Sequence, residues 1–233
     1  MPAPDRLFHF TRSAKDVASI LATRLEYVHR TRGLIEYLVP NYSADREPQA
    51  FGAISLTDSD DDGLRTQFGP FGIAVTFTWA LSKRAIPVRY VDPRTSLFDI
   101  LREDFRLAYA DMEAKVAAKY PDDTLRRWAY WNRNVAGILG ACEWDRLLHA
   151  FEYMEHWDHR AEREWRIVNP NPMAIGGRSE DAAKRAANPW GWFTNPNKLT
   201  PADVQYLITP SGAATGLRAR LPRDFAAVEI REY

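Results

Sequence analysis

The spacing of the hydrophobic residues changes period twice along the chain, and this order of periods limits the fold more than any single motif does. Leu7-Phe8-His9-Phe10-Thr11 and Ala53-Ile54-Ser55-Leu56-Thr57 alternate as short strands do, with successive side chains sent to opposite faces. Residues 73–78 and 87–91 continue the pattern, with Pro87 at a first position where its missing N–H costs little. From about 97 to 159 the spacing becomes helical. Phe98, Leu101, Phe105, Tyr109, Met112 and Val116 mark one long helix, and Trp128, Trp131, Ile138, Leu139, Leu147, Leu148 and Phe151 mark one or two more over 125–159. Strand character returns at 165–168, 204–208 and 225–230. Strands, a helical insert and strands again predict a single α+β domain over 1–233, with a split sheet and a helical insertion at about 97–159.

Local signals fill in the connections. Ser13 with Asp16 three residues on resembles a capping box, and Val17, Ile20, Leu21 and Leu25 extend a helix over about 14–29. The stretch 33–52 reads as an irregular loop around Pro40, Asn41 and Pro48. The acidic run 58–62 reads as a solvated turn rather than as a cap. Phe68-Gly69-Pro70-Phe71-Gly72 is a tight connection, and 169–202 is a long segment rich in Pro, Gly and Asn.

Composition removes several classes. At 233 residues, 45% hydrophobic and 12% aromatic, the chain can build one sizeable core. Lys plus Arg and Asp plus Glu are equal at 31 each, so no overall field draws it to nucleic acid or membrane. Its one cysteine, Cys142, allows neither an internal disulfide nor a cysteine zinc site. Neither a signal peptide nor a run of about 18 apolar residues is apparent, so the expected setting is cytoplasmic, away from membranes.

Glu162-Arg163-Glu164-Trp165-Arg166 holds the densest chemistry. Read as a strand, it puts Glu162, Glu164 and Arg166 on one face and Trp165 and Ile167 on the other. Two acids so placed suit glycosyl transfer: one carboxylate offsets positive charge at the sugar carbon, and a second takes a proton from the acceptor. A solvated edge strand paired to arginines is the plainer alternative. His9 and Thr11 share one face of their strand, opposite Phe8 and Phe10, and could hydrogen-bond a ligand or simply be satisfied locally. Ser55 and Thr57 share a face in the same way. His149, His156 and His159 lie in a predicted helix with Glu152 and Glu155 at i,i+4 spacing, which suits a solvated Glu–His face better than a metal site. Trp190, Trp192 and Phe193 follow Arg178, Lys184 and Arg185, a mixture that stacks bases in some proteins and tucks onto the body in others. A phosphate-binding P-loop, a dinucleotide glycine fingerprint and a hydrolase nucleophile elbow are all absent from the sequence.

Leu7-Phe8-His9-Phe10-Thr11 and its following helix resemble the opening of ADP-ribosyltransferases, notably DNA-modifying bacterial toxins of the DarT type. Ala53 to Thr57, Phe68 to Val75 and Ile86 to Val91 are similar to the AbiGi abortive-infection family of phage-defence proteins. Glu162 to Arg166 is similar to the element that closes that family's core. The likeness implies a split mixed β-sandwich with an NAD cleft between two small sheets. It implies Glu164 as catalytic acid with Glu162 as accessory, His9 and Thr11 at the nicotinamide ribose, Ser55 bracing the site, and Phe71 in the NAD-binding set. Arg12 and Arg65 are its candidates for the NAD phosphates. NAD is then a substrate, the acceptor a nucleic acid or a protein entering under 169–202, and a cognate antitoxin a further partner. Some AbiGi members carry an antitoxin label. Two expectations therefore stand: a mono-ADP-ribosyltransferase acting as toxin or phage-defence effector, and a non-catalytic module of the same fold that binds a partner as antitoxin or sensor.

Overall fold

β1 (Arg6–Thr11) carries Leu7 and Phe8 on opposite faces and buries both, which makes it an interior strand. The computed structural model that contains it describes residues 4–30, 34, 51–119, 150, 152–168 and 197–233. The irregular stretch 35–50, the helices expected over 125–149, His149, Trp128, Trp131 and the 169–196 segment with its cations and aromatics lie outside the described residues.

Around β1 the chain forms a mixed sheet with helices, as the α+β expectation requires. The strands are β2 (Val28–Arg30), β3 (Phe51–Thr57), β4 (Phe71–Thr76), β5 (Ile86–Pro87), β8 (Glu164–Val168), β9 (Val204–Thr209) and β10 (Glu229–Glu232). Their order is β10-β9-β4-β1-β3-β8-β5, with β2 also on β3; β9–β10 is parallel and the other pairs are antiparallel. β6 (Arg89–Val91) and β7 (Met154–His156) form a separate parallel pair.

The main sheet has a seam. β1 runs beside β4 from Arg6↔Thr76 to Thr11↔Phe71, yet it meets β3 only at Phe8↔Thr57. Two separate small sheets were expected; the strands instead form one sheet whose flanks join at a single pair. Directly opposed residues share a face, so the registers line up Tyr206, Ala74, Phe8, Thr57 and Glu164 in one row across five strands.

The two faces differ. Leu7, Ile54, Ile73, Val75, Ile167 and Leu207 pack the main core beneath α1 (Ala14–Ala22), Trp79 and Leu217. The opposite face carries a small apolar cluster of Phe8, Ala74, Tyr206 and Ile208, with Phe10 stacked on Phe8, and is otherwise open to a cleft.

Several boundaries moved where tertiary contacts outweighed local period. Ser13 caps α1 as expected, its hydroxyl accepting from Asp16 N–H at 3.2 Å. The helix stops at Ala22 rather than near 29, because Leu25 is drawn into the core and Val28–Arg30 pairs with β3. The acidic run proves to be a cap: Asp61 accepts from Gly63 N–H at 2.7 Å and starts α2 (Asp62–Phe68). Thr76 caps α3 (Phe77–Ser82), so residues 77–78 leave the strand. The 87–91 strand divides, because Val88 N–H turns to Glu164 O at 2.8 Å while Arg89–Val91 pairs elsewhere. α4 (Ser96–Lys119) is the long helix foreseen, with Phe98 and Phe105 buried. Residues 154–159 do not continue the α-helix expected to 159; β7 leads into a 3-10 helix, Trp157–Glu162. Phe225 ends another 3-10 turn, which delays β10 to Glu229. Among the described residues, no helix is long and apolar enough to cross a membrane.

Gly69 closes α2 at φ 130° against β1, where a Cβ would collide with the Thr11 carbonyl. Gly69→Ala is expected to destabilise the fold by at least about 2 kcal/mol through backbone strain and the clash. A fall in the urea midpoint at unchanged slope is the measurement.

Candidate functional site

Glu164 opens β8 directly opposite Thr57, and its side chain is 6% exposed. Burying a carboxylate requires compensation, and Arg166, two residues on and on the same strand face, supplies it. One guanidinium nitrogen, Nη2, donates to Glu164 Oε2 at 2.7 Å and to Glu155 Oε2 at 2.9 Å. The other, Nη1, donates to the Glu152 carbonyl at 3.0 Å, tying β8 to the residues just before β7. Burial opposes the charge on Arg166, but the two carboxylates outweigh it and raise its pKa. Oε1 of Glu164 is also buried, and among the described residues it has no hydrogen-bond partner. A fixed, charge-paired acid with one uncommitted oxygen is the chemical centre of the site. Trp165 and Ile167 turn the other way, into or against the core, as alternation predicted.

Glu162 reaches the site by a different route from the one expected. It is not on the strand: it ends the 3-10 helix, and Arg163 follows in the left-handed region at φ 47°, ψ 44°. That turn brings Glu162 and Glu164 to one small pocket of about 80 Å³. Glu162 Oε1 pairs with His159 Nδ1 at 3.1 Å and accepts from Gln67 Nε2 at 3.3 Å, while its carbonyl accepts from the Thr57 hydroxyl at 2.7 Å. Arg163 is held by Asp58 at 2.6 Å.

His9 and Ser55 line the same small pocket, on opposite sides of the seam. The His9 ring bridges the gap, with Nδ1 3.0 Å from the Ser55 carbonyl oxygen. Thr11 and Phe71 are not among the residues lining either cavity. The Thr11 hydroxyl turns to the α1 start, accepting from Ser13 N–H at 3.4 Å and donating to Asp16 at 3.3 Å. Phe71 packs on the main core. Arg65 pairs with Asp62 and stacks on the Tyr233 ring, so it too is committed elsewhere. The Glu–His helical face does not form: His156 caps the 3-10 helix at Asp158 N–H, and His159 pairs with Glu162. Among the described residues, no group of three His, Cys, Asp or Glu could hold a metal ion.

A second, larger cleft of about 900 Å³ adjoins the small pocket, sharing Phe8 and Glu164 with it. Its volume lies within the range of small-molecule sites, about 300–1,000 Å³. Arg6, Arg160, Arg163 and Arg231 stand around it, and Trp165, Tyr206 and Tyr90 add aromatic surface. Tyr90 is the residue that sequence reasoning missed. Its hydroxyl oxygen accepts from Glu164 N–H at 2.7 Å across 74 residues of chain, a contact with no local signal. Burial, with the nearby Glu164 and Glu162 charges, pushes its pKa up to about 12, although the hydrogen bond from Glu164 works against the rise.

No protein-family model, curated protein or solved structure matches this chain.

Arg166→Met would leave Glu164 and Glu155 uncompensated, with an expected loss of about 3–5 kcal/mol in urea unfolding. Arg231→Met, at an exposed pair with Glu229, should leave the unfolding midpoint almost unchanged. Tyr90 gives an alkaline signature. An unfolded tyrosine releases its proton near 10, whereas folded Tyr90 keeps it to about 12. The folded state therefore binds more protons in that window, and its stability must fall as pH rises from 10 to 12. Unfolding midpoints across this window should drop less in Tyr90→Phe than in wild type, with Tyr153, also raised by burial, accounting for part of the remainder.

Proposed function

We propose that the chain is an NAD-dependent mono-ADP-ribosyltransferase acting on a nucleic-acid or protein acceptor as a toxin or phage-defence effector. The observation that carries this reading is convergence. Residues far apart in sequence, His9, Ser55, Glu162 and Glu164, line one pocket at the seam, and that pocket opens into a cleft large enough for a nucleotide.

In this reading Glu164 Oε1 faces the ribose carbon whose bond to nicotinamide breaks, and its charge offsets the positive charge that builds there. Nicotinamide leaves with the bonding pair, the acceptor forms the new bond to the same carbon, and Glu162 takes the acceptor's proton. Arg166 prevents Glu164 from turning away. Aromatic faces and arginines around the larger cleft suit a base and a pyrophosphate. The Glu155–Arg166–Glu164 cluster also suits a second reading, in which Glu164 is a structural anion and the chain is a non-catalytic binding module, an antitoxin or sensor.

Incubation with labelled NAD and separate DNA, RNA and protein pools decides between them. Wild type should label one pool, and Glu164→Gln should lower the rate by about 100- to 1,000-fold. Label in no pool sinks the transferase reading. NAD binding without transfer, seen as quenched tryptophan fluorescence, assigns the chain to the second.

A further inference from the structure

The Tyr90 phenol has one proton and sits where two groups of the site meet. Its oxygen already accepts the Glu164 N–H at 2.7 Å, so its own O–H is left to donate. Among the described residues, no acceptor for that proton is present. The ring lines the larger cleft beside Glu164. Arg166, on the same strand as Glu164, donates to Glu164 and Glu155. A half-buried hydroxyl with a used lone pair and an unused proton, aimed at a cleft, is a donor for a ligand oxygen.

We propose that Tyr90 binds the substrate directly, its O–H donating to a ribose hydroxyl of NAD next to Glu164. This rests on the NAD reading above, because only then is the group beside Glu164 a ribose. The arrangement couples recognition to chemistry: the phenol that holds the sugar also holds the backbone of the acid that faces it. Burial pushes the phenol's pKa up to about 12, so at neutral pH it is a protonated donor. A site that hydrogen-bonds a substrate hydroxyl discriminates against the analogue lacking it.

The test is equilibrium binding of NAD and of its 2′-deoxy and 3′-deoxy analogues on the nicotinamide ribose, to wild type and to Tyr90→Phe. Wild type should prefer NAD over one analogue by about tenfold, and Tyr90→Phe should bind NAD and that analogue alike. An equal loss for all three ligands in Tyr90→Phe overturns the contact, since Tyr90 would then act only through Glu164 N–H. No change in Tyr90→Phe overturns it as well. Wild type alone also suffices: equal affinity for all three ligands removes the proposal even if the variant fails to fold. Wild type that binds none of them fails the NAD reading itself, which is a separate result.

Discussion

One guanidinium holds this site together. Arg166 is buried on β8, and its donors reach two carboxylates and the backbone of the segment that leads into β7. Without a cation there, Glu164 could not stay buried at the head of the strand, and Glu155 would lose its partner. The parallel β6–β7 pair would then be joined to β8 through the Val88 N–H on the Glu164 carbonyl and the Glu164 N–H on the Tyr90 hydroxyl. The position of the acid is therefore a by-product of how the small sheet is attached to the large one.

Geometry at the neighbouring turn completes the pair. Arg163 is a non-glycine residue in the left-handed region, a conformation costing of order 1 kcal/mol that is retained only where surroundings enforce it. Asp58 grips its side chain, Thr57 grips the preceding carbonyl, and β8 begins immediately afterwards. The local strain buys proximity: two acids that a straight strand would have placed on one face by alternation are placed in one pocket by a turn.

Much of the strand framework was legible because β1 and β3 alternate and β9 is a short apolar run, and α4 because its apolar spacing is long and regular. The face of β8 was legible for the same reason: Glu164 and Arg166 fall on one side, Trp165 and Ile167 on the other. What period could not reveal was anything decided by partners distant in sequence. Residues 154–156 look helical until β6 is available to pair with them, and 24–29 continue a helix until β3 draws Val28–Arg30 into the sheet. Tyr90 had no signal, since its role depends on an amide 74 residues away. Thr11 was plausible on a strand face, but the hydroxyl was more use to the helix that follows it.

The seam between β1 and β3 divides the site's residues by allegiance. Phe8 and His9 belong to one flank; Ser55, Thr57, Glu162, Glu164 and Tyr90 belong to the other. Backbone pairing fastens the two at Phe8↔Thr57 and the His9 ring adds one further stitch. Beneath the sheet one apolar core underlies both flanks. A molecule bound in the cleft would bridge them from the opposite face, as an upper rung where the backbone ladder has few.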